Sequence, residues 1–274
     1  MTINCKGQLI DLSTPKVMGI LNLTPDSFYD GGKYKNDSEI LSQVYMMLKN
    51  EATFVDVGAY SSRPNAEHIS ETEELKRLLP IVDLIVKTFP EIIISTDTFR
   101  SNVAKKSVNH GAALINDISS GQLDSNMMQT VADLQVPYIM MHMKGTPQNM
   151  KNHAHYNDLL KEVFFYFSER IAEAKHLGLK DIIVDPGFGF AKDVAQNFEL
   201  LKQLEHFKHL ELPLLVGLSR KSMIYKTLEL SAQEALNGTT VLNTIALQKG
   251  ANILRVHDVK EANEAIKLIS QLNA

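Results

Sequence analysis

The sequence predicts an α/β protein in which eight parallel strands alternate with helices and close into a (β/α)8 barrel. Three observations carry that expectation. Short apolar runs recur along all 274 residues, each followed by a longer segment of helical periodicity. The runs are continuously apolar at their centres, as in Ile92-Ile93-Ile94 and Ile182-Ile183-Val184, which suits parallel strands covered on both faces. The last element, Lys260 to Leu272, reads as a helix, so eight βα units finish as a barrel finishes. A doubly wound open sheet is the competing arrangement. No linker or low-complexity tract interrupts the chain, and residues 1–274 read as one domain.

The first strand is expected at Lys16 to Leu23, delivering Asn22 and then Thr24-Pro25-Asp26-Ser27-Phe28. The second, Thr53 to Ala59, carries Asp56 and leads to Ser61-Ser62-Arg63-Pro64. The third, Ile92 to Thr98, and the fourth, Ala113 to Ser119, bring Asp97 and Asn116-Asp117. The fifth, Pro137 to Met143, ends Met141-His142-Met143, and the sixth, Asp181 to Phe188, holds Asp185-Pro186-Gly187. The seventh, Leu212 to Ser219, runs out through Ser219-Arg220-Lys221-Ser222; the eighth, Asn252 to Asp258, through Arg255-Val256-His257-Asp258. Ser70-Glu71-Thr72-Glu73 and Ser231-Ala232-Gln233-Glu234 match the capping box that opens a helix.

Composition narrows the function. There are 28 Lys and Arg against 32 Asp and Glu, a net charge of −4, which disfavours nucleic-acid or anionic-membrane partners. An anionic ligand must therefore be held by a local group of bases. The one cysteine, Cys5, excludes an intrachain disulfide and fits a reducing, cytoplasmic setting. Neither a signal-peptide stretch nor a bilayer-length apolar run is read in the sequence.

Barrel geometry forces all eight strand ends onto one rim, where such folds carry their chemistry. Singly, each polar end has a plain structural role open to it: Asp as a helix cap, His142 as an interior histidine, Arg220 in a surface ion pair. Together they suggest a ligand site. Asp97, Asn116 and Asp185 suit a flat heterocycle with a guanidine-like edge, since a carboxylate accepts two parallel bonds from such an edge. A carboxylate metal site is the alternative. Arg63, Arg220, Lys221, Arg255 and His257 form a basic group on the loops after strands two, seven and eight, and barrels often bind phosphate beside strands seven and eight. The stretches Asp26 to Gly32 and Gly58 to Asn65 could close over a ligand. The run Gly187-Phe188-Gly189-Phe190-Ala191-Lys192 fails the dinucleotide fingerprint at its last position, and His153-Ala154-His155 lacks further zinc ligands at the usual spacing.

These segments resemble the dihydropteroate synthase family over essentially the whole chain. The matching stretches are Met18 to Phe28, Ser62-Arg63-Pro64, Asp97-Thr98, Ile115-Asn116-Asp117, Met141 to Pro147, Asp185 to Phe190, Ser219 to Ser222 and Arg255 to Asp258. The resemblance implies a transferase that condenses 4-aminobenzoate with 6-hydroxymethyl-7,8-dihydropterin diphosphate in folate biosynthesis, the step sulfonamides target. It implies that Asp97, Asn116, Met141, Asp185, Gly217 and Lys221 hold the pterin. It implies that Asn22, Ser62, Arg63, Arg255 and His257 hold the diphosphate, with Asn22 on its Mg2+. Phe28, Ser62, Pro64, Phe190, Lys221 and Ser222 would form the aminobenzoate pocket. By the resemblance Lys221 sits on the pterin, whereas the basic grouping alone places it on phosphate. Lys221, Arg63, Arg255, His257 and Asp185 would carry the chemistry, and a homodimer through outer helices is implied. The chain departs from the family at Gly58 to Asn65, where Ala59 and Asn65 replace glycines and Ser62 replaces threonine. A corrinoid-dependent methyltransferase and a catalytically silent pterin-binding subunit are the competing readings.

Overall fold

The computed structural model describes residues 1–23, 37–61 and 68–272. Strands β1 (Thr2–Cys5) and β2 (Gln8–Asp11) pair antiparallel, ahead of β3 (Lys16–Asn22) and helix α1 (Asp37–Lys49). Then follow β4 (Phe54–Gly58), α2 (Glu71–Thr88), β5 (Ile94–Asp97), α3 (Ser101–Asn109), β6 (Leu114–Asp117) and α4 (Met127–Leu134). Next come β7 (Tyr138–Met141), α5 (Leu159–His176), β8 (Ile182–Asp185), α6 (Val194–Lys202) and β9 (Leu215–Val216). The chain continues through α7 (Ser222–Thr227), α8 (Leu236–Gln248), β10 (Ile253–Val256) and α9 (Val259–Leu272).

Strands β3 to β10 form one parallel sheet in the order β8-β7-β6-β5-β4-β3-β10-β9. A single parallel bridge between Val184 and Leu214 joins its two edges, so the barrel is nearly closed. Each of the eight strands lies inside the stretch expected for it. The seventh is the shortest, two residues of ladder, because its run ends early in Gly217, which offers no side chain to a pleated face.

Alternation along the strands explains how one barrel is dry at one end and polar at the other. Outward residues such as Val55, Val57 and Val184 pack with the apolar faces of the helices. Inward residues at the strand starts, Met18, Phe54, Ile93, Leu114, Ile139, Ile183, Leu215 and Ile253, meet in a separate core. Two residues further on, the inward position is Asp56, Ser95, Asn116, Met141, Asp185 or Arg255, because successive side chains alternate between faces. The apolar plug therefore lies under the polar mouth.

The β1–β2 hairpin seals the plug from below, an element absent from the sequence reading. Ile3, Cys5, Ile10 and Leu12 join the inward core. Its turn uses Lys6 (φ 51°) and Gly7 (φ 92°), both left-handed, with the Asn4 side chain accepting from Gly7 N–H at 2.7 Å. Two further differences are local. Ser70 caps α2 as expected, its side chain accepting from Glu73 N–H at 3.2 Å. Ser231 also meets Glu234, at 2.6 Å, but within a turn, and α8 begins only at Leu236. A reciprocal capping box is at Asp193 and Gln196, opening α6.

Candidate active site

The sheet register assembles the mouth. Asn22 stands opposite Gly58, Gly58 opposite Asp97, and Asp97 opposite Asn116, so four neighbouring strands present one row. Across the barrel Met141 stands opposite Asp185. Gly58 is needed there: a Cβ on it would sit 3.1 Å from the Asp97 Cβ.

At the centre lies an ionic cluster. Arg255 donates from Nε to Asp56 at 2.6 Å and from Nη2 to Asp97 at 2.7 Å. Asp56 is fully buried, and the same oxygen accepts from the Asn116 amide at 3.0 Å, while its Oδ1 has no partner among the described residues. Burial works against the Arg255 charge, yet the two carboxylates outweigh it and hold the guanidinium ionised. Burial pushes the Asp97 carboxyl up; Arg255 opposes that, and Asp56 adds to it. Asp97 and Arg255, which the family resemblance assigns to different parts of a substrate, are thus in direct contact.

Asp185 faces this cluster. Its Oδ1 accepts from Gly187 N–H at 2.8 Å. Burial raises its proton affinity, against the pull of the Lys221 and Arg255 charges. Lys221 donates to the Phe188 carbonyl, and its Nζ lies 4.7 Å from the centre of the Phe190 ring. Burial lowers the Lys221 ammonium to about 8, opposed by Asp185. Met141 belongs to a small apolar group with Ile118, Met143, Met150 and Ala191, and Phe190 packs against it. Gly217 is buried, and Ser222, half-buried, opens α7.

On the basic side, His257 is exposed; its Nδ1 is 3.0 Å from the Ser219 hydroxyl, which also accepts from His257 N–H at 3.2 Å. Arg220, grouped with the phosphate bases in the sequence reading, is structural. It forks onto Asp258 at 2.9 and 2.8 Å and donates to the Ala232 carbonyl at 3.1 Å, from a backbone with a left-handed φ of 54°. Asp117, next to Asn116, points the other way: buried, it accepts from Tyr138, Ser119 and Gly121 and ties the β6 exit together. Phe28, Ser62, Arg63 and Pro64 lie outside the described residues. Sequence reasoning left Asp56 out of the site. Its signal was a carboxylate two places after Phe54, on the inward face of an apolar strand.

The comparisons with known proteins identify the family. The family model described as pterin binding enzyme matches residues 18–257. Dihydropteroate synthase of Escherichia coli K12 is 42% identical over 271 residues, covering 98% of this chain and 95% of the relative. The chain belongs to the dihydropteroate synthase family. Among solved structures of the dihydropteroate synthase family, that of Yersinia pestis in complex with a sulfonamide drug superposes with a TM-score of 0.94 at 41% identity, covering 100% of this chain and 99% of that one. That of Xanthomonas albilineans with 7,8-dihydropteroate gives 0.89 at 33%, covering 100% and 99%. A second structure of the same enzyme, with 4-aminobenzoic acid, gives 0.92 at 35%, covering 100% and 98%.

Proposed function

We propose that this chain, as one pterin-binding unit, makes 7,8-dihydropteroate and pyrophosphate from 4-aminobenzoate and 6-hydroxymethyl-7,8-dihydropterin diphosphate. The observation that carries this reading is the meeting of carboxylates and cations at one mouth: Asp97, Asn116 and Asp185 beside Arg255 and Lys221. Asp185, Asp97 and Asn116 read the N–H edge of the pterin, Lys221 its carbonyl, and Met141 and Gly217 border its faces. Arg255 and His257, with Ser62 and Arg63, hold the diphosphate; Phe28, Ser62, Pro64, Phe190, Lys221 and Ser222 enclose the aminobenzoate.

The C–O bond to the diphosphate breaks first, leaving a methylene cation delocalised into the pterin. Cationic side chains then stabilise the departing charge, which is where fixed electrostatics act most strongly. The aniline nitrogen attacks the methylene carbon from about 3–3.5 Å and releases its proton to solvent. Among the described residues no group of three or more His, Cys, Asp or Glu is gathered for a metal. Asn22, half-buried at the end of β3, offers a single oxygen. That donor set fits Mg2+ brought in on the diphosphate, since Mg2+ keeps waters and takes phosphate oxygens; bound there it would neutralise leaving-group charge.

The test is pyrophosphate release with both substrates and Mg2+, repeated with a sulfonamide. Release that needs aminobenzoate and is blocked by the drug supports the reading; none, or release indifferent to aminobenzoate, overturns it. Asp185→Asn should weaken pterin binding about tenfold or more, the worth of a charge-assisted bond. We also propose a cytoplasmic homodimer. No described helix is long and apolar enough to cross a membrane. Val241 on α8 and Leu268 and Leu272 on α9 expose 50%, 72% and 70% of their surface, an apolar surface that pairing of two copies would cover. Light scattering should give twice the chain mass.

A further inference from the structure

Beneath the mouth lies a charged side chain that the reaction scheme does not use. Lys192 follows β8 and is only 8% exposed. Its Nζ is 2.9 Å from His142 Nδ1 and donates to the carbonyls of Gly187 at 3.0 Å and Phe190 at 3.1 Å. An ammonium has three protons and no acceptor, so three acceptors satisfy it completely. His142 can serve as one of them because it is neutral: burial, then the charges of Lys192 and Lys144, drive its proton affinity well below the ordinary value. Its ring is fixed edge-on to Tyr166, with centroids 4.9 Å apart.

The two carbonyls belong to the turn that separates Lys192 from the ligand side. Gly187 adopts φ 70°, and a Cβ there would stand 2.1 Å from the His142 carbonyl oxygen, so the turn rests directly on the β7 exit. Phe190 N–H donates back to the Gly187 carbonyl at 3.1 Å, and Gly189 N–H donates to the Asn197 side chain at 2.7 Å. On the upper side, Lys221 reaches the Phe188 carbonyl and faces the Phe190 ring, and a Cβ on Gly189 would come within 3.1 Å of the Lys221 Cδ. One four-residue turn is therefore held between two lysines.

We propose that Lys192 is a positioning residue for the transfer reaction: its ammonium, bound by His142 and the Gly187 and Phe190 carbonyls, sets the turn that presents the Phe190 ring to the aminobenzoate. This rests on the function proposed above. A neutral Lys192 amine has two N–H groups for three acceptors, and the turn loses one of its ties. Burial brings the Lys192 ammonium down to about 7, opposed by Asp185 and reinforced by Lys221 and Lys144. Besides these, it meets neutral His142, whose ring packs against Tyr156 and Tyr166, phenols that burial keeps protonated.

The experiment compares wild type with Lys192→Met and Lys192→Arg by pyrophosphate release at saturating pterin diphosphate from pH 6 to pH 9. In Lys192→Met the KM for 4-aminobenzoate should rise at least about tenfold, because the turn loses both of its carbonyl bonds to the ammonium. The KM for the pterin diphosphate should change less than about twofold, and Lys192→Arg should restore most of the loss. The alkaline fall of kcat/KM for aminobenzoate should begin near pH 7 in wild type and near pH 8 in Lys192→Met, where it is set by Lys221, while the Asp97 carboxyl, raised to about 7, titrates in both proteins alike. An unchanged KM for aminobenzoate, or an unmoved alkaline fall, overturns the proposal; a wild type that releases no pyrophosphate overturns the underlying function instead. If Lys192→Met does not fold, wild type labelled at lysine Nζ decides. The slowly exchanging ammonium resonance that Lys192→Arg lacks must titrate together with the alkaline fall, and separate titration overturns the proposal.

Discussion

Asp56→Asn probes whether the ionic cluster under the mouth organises the site. The side chain is fully buried and one oxygen receives both Arg255 Nε at 2.6 Å and the Asn116 amide at 3.0 Å. Asparagine keeps the shape and one acceptor but removes the charge, so Arg255 loses one charge-assisted bond, about 1.5–3 kcal/mol. Arg255 is not stranded, because Asp97 still accepts from Nη2 at 2.7 Å; the larger penalty of about 3–5 kcal/mol for an unpaired buried charge does not apply. At roughly 2–4 °C per kcal/mol for a chain of this size, the melting temperature should fall by about 3–12 °C. If the lost bond also positions Arg255 in the transition state, kcat/KM for the pterin diphosphate should fall about tenfold to a hundredfold, at 1.4 kcal/mol per factor of ten. Calorimetric melting and the pyrophosphate assay read the two effects. A variant that melts within about 1 °C of wild type and turns over within about twofold would refute the role given to this cluster.

Gly187→Ala should abolish activity or folding. The added Cβ meets the His142 carbonyl oxygen at 2.1 Å in a left-handed backbone, and neither the backbone nor the turn can yield; soluble expression and turnover measure it. Leu12→Ala, which empties a fully buried position in the core shared by the hairpin and the barrel, should cost about 2–5 kcal/mol in denaturant titration while the KM values hold. The Lys192 and Lys221 ammonium groups are lowered in the folded state to about 7 and about 8, from 10.5 when unfolded. Between those values the unfolded chain binds more protons, so stability should rise with pH from about 8 to 10, as melting curves across that range will show; below about 7 the lysine contribution levels off and the Asp97 carboxyl, raised to about 7, favours lower pH instead.

The barrel was legible because its strands are short, apolar and regularly spaced, and that pattern survives without knowledge of any contact. The mouth was legible only in part. Asp97, Asn116 and Asp185 sit at strand ends where polar residues stand out, whereas Asp56 lies one pleat deeper between Val55 and Val57 and looks like an interruption of a strand. Lys192 was hidden differently: it sits at the end of a glycine-rich run, where a lysine is ordinarily solvated, and only the fold turns it inward onto His142. The hairpin escaped because its eight strand residues carry so few apolar positions that their burial depends wholly on the barrel above. The glycine of its Lys6-Gly7 turn was the local sign in the sequence, and the structure places both residues at positive φ.

The contact between Asp97 and Arg255 bears on how the substrates enter. On the function proposed above, a carboxylate that would read the pterin edge and a guanidinium that would hold the diphosphate satisfy each other, so neither stands buried and uncompensated. Binding as proposed would exchange that ion pair for two others, Asp97 with the N–H edge and Arg255 with phosphate oxygens. Arg255 can make the exchange without leaving its place because Asp56 retains Nε throughout. A pterin lacking the diphosphate offers Asp97 a partner and Arg255 none, so it gains only one side of the exchange. The free pterin alcohol should therefore bind more weakly than the diphosphate by at least the worth of one charge-assisted bond, about tenfold, and removing Asp56 should narrow that gap by loosening Arg255. Equal affinities for the two ligands in calorimetric titration would mean that Arg255 serves the ring and not its leaving group.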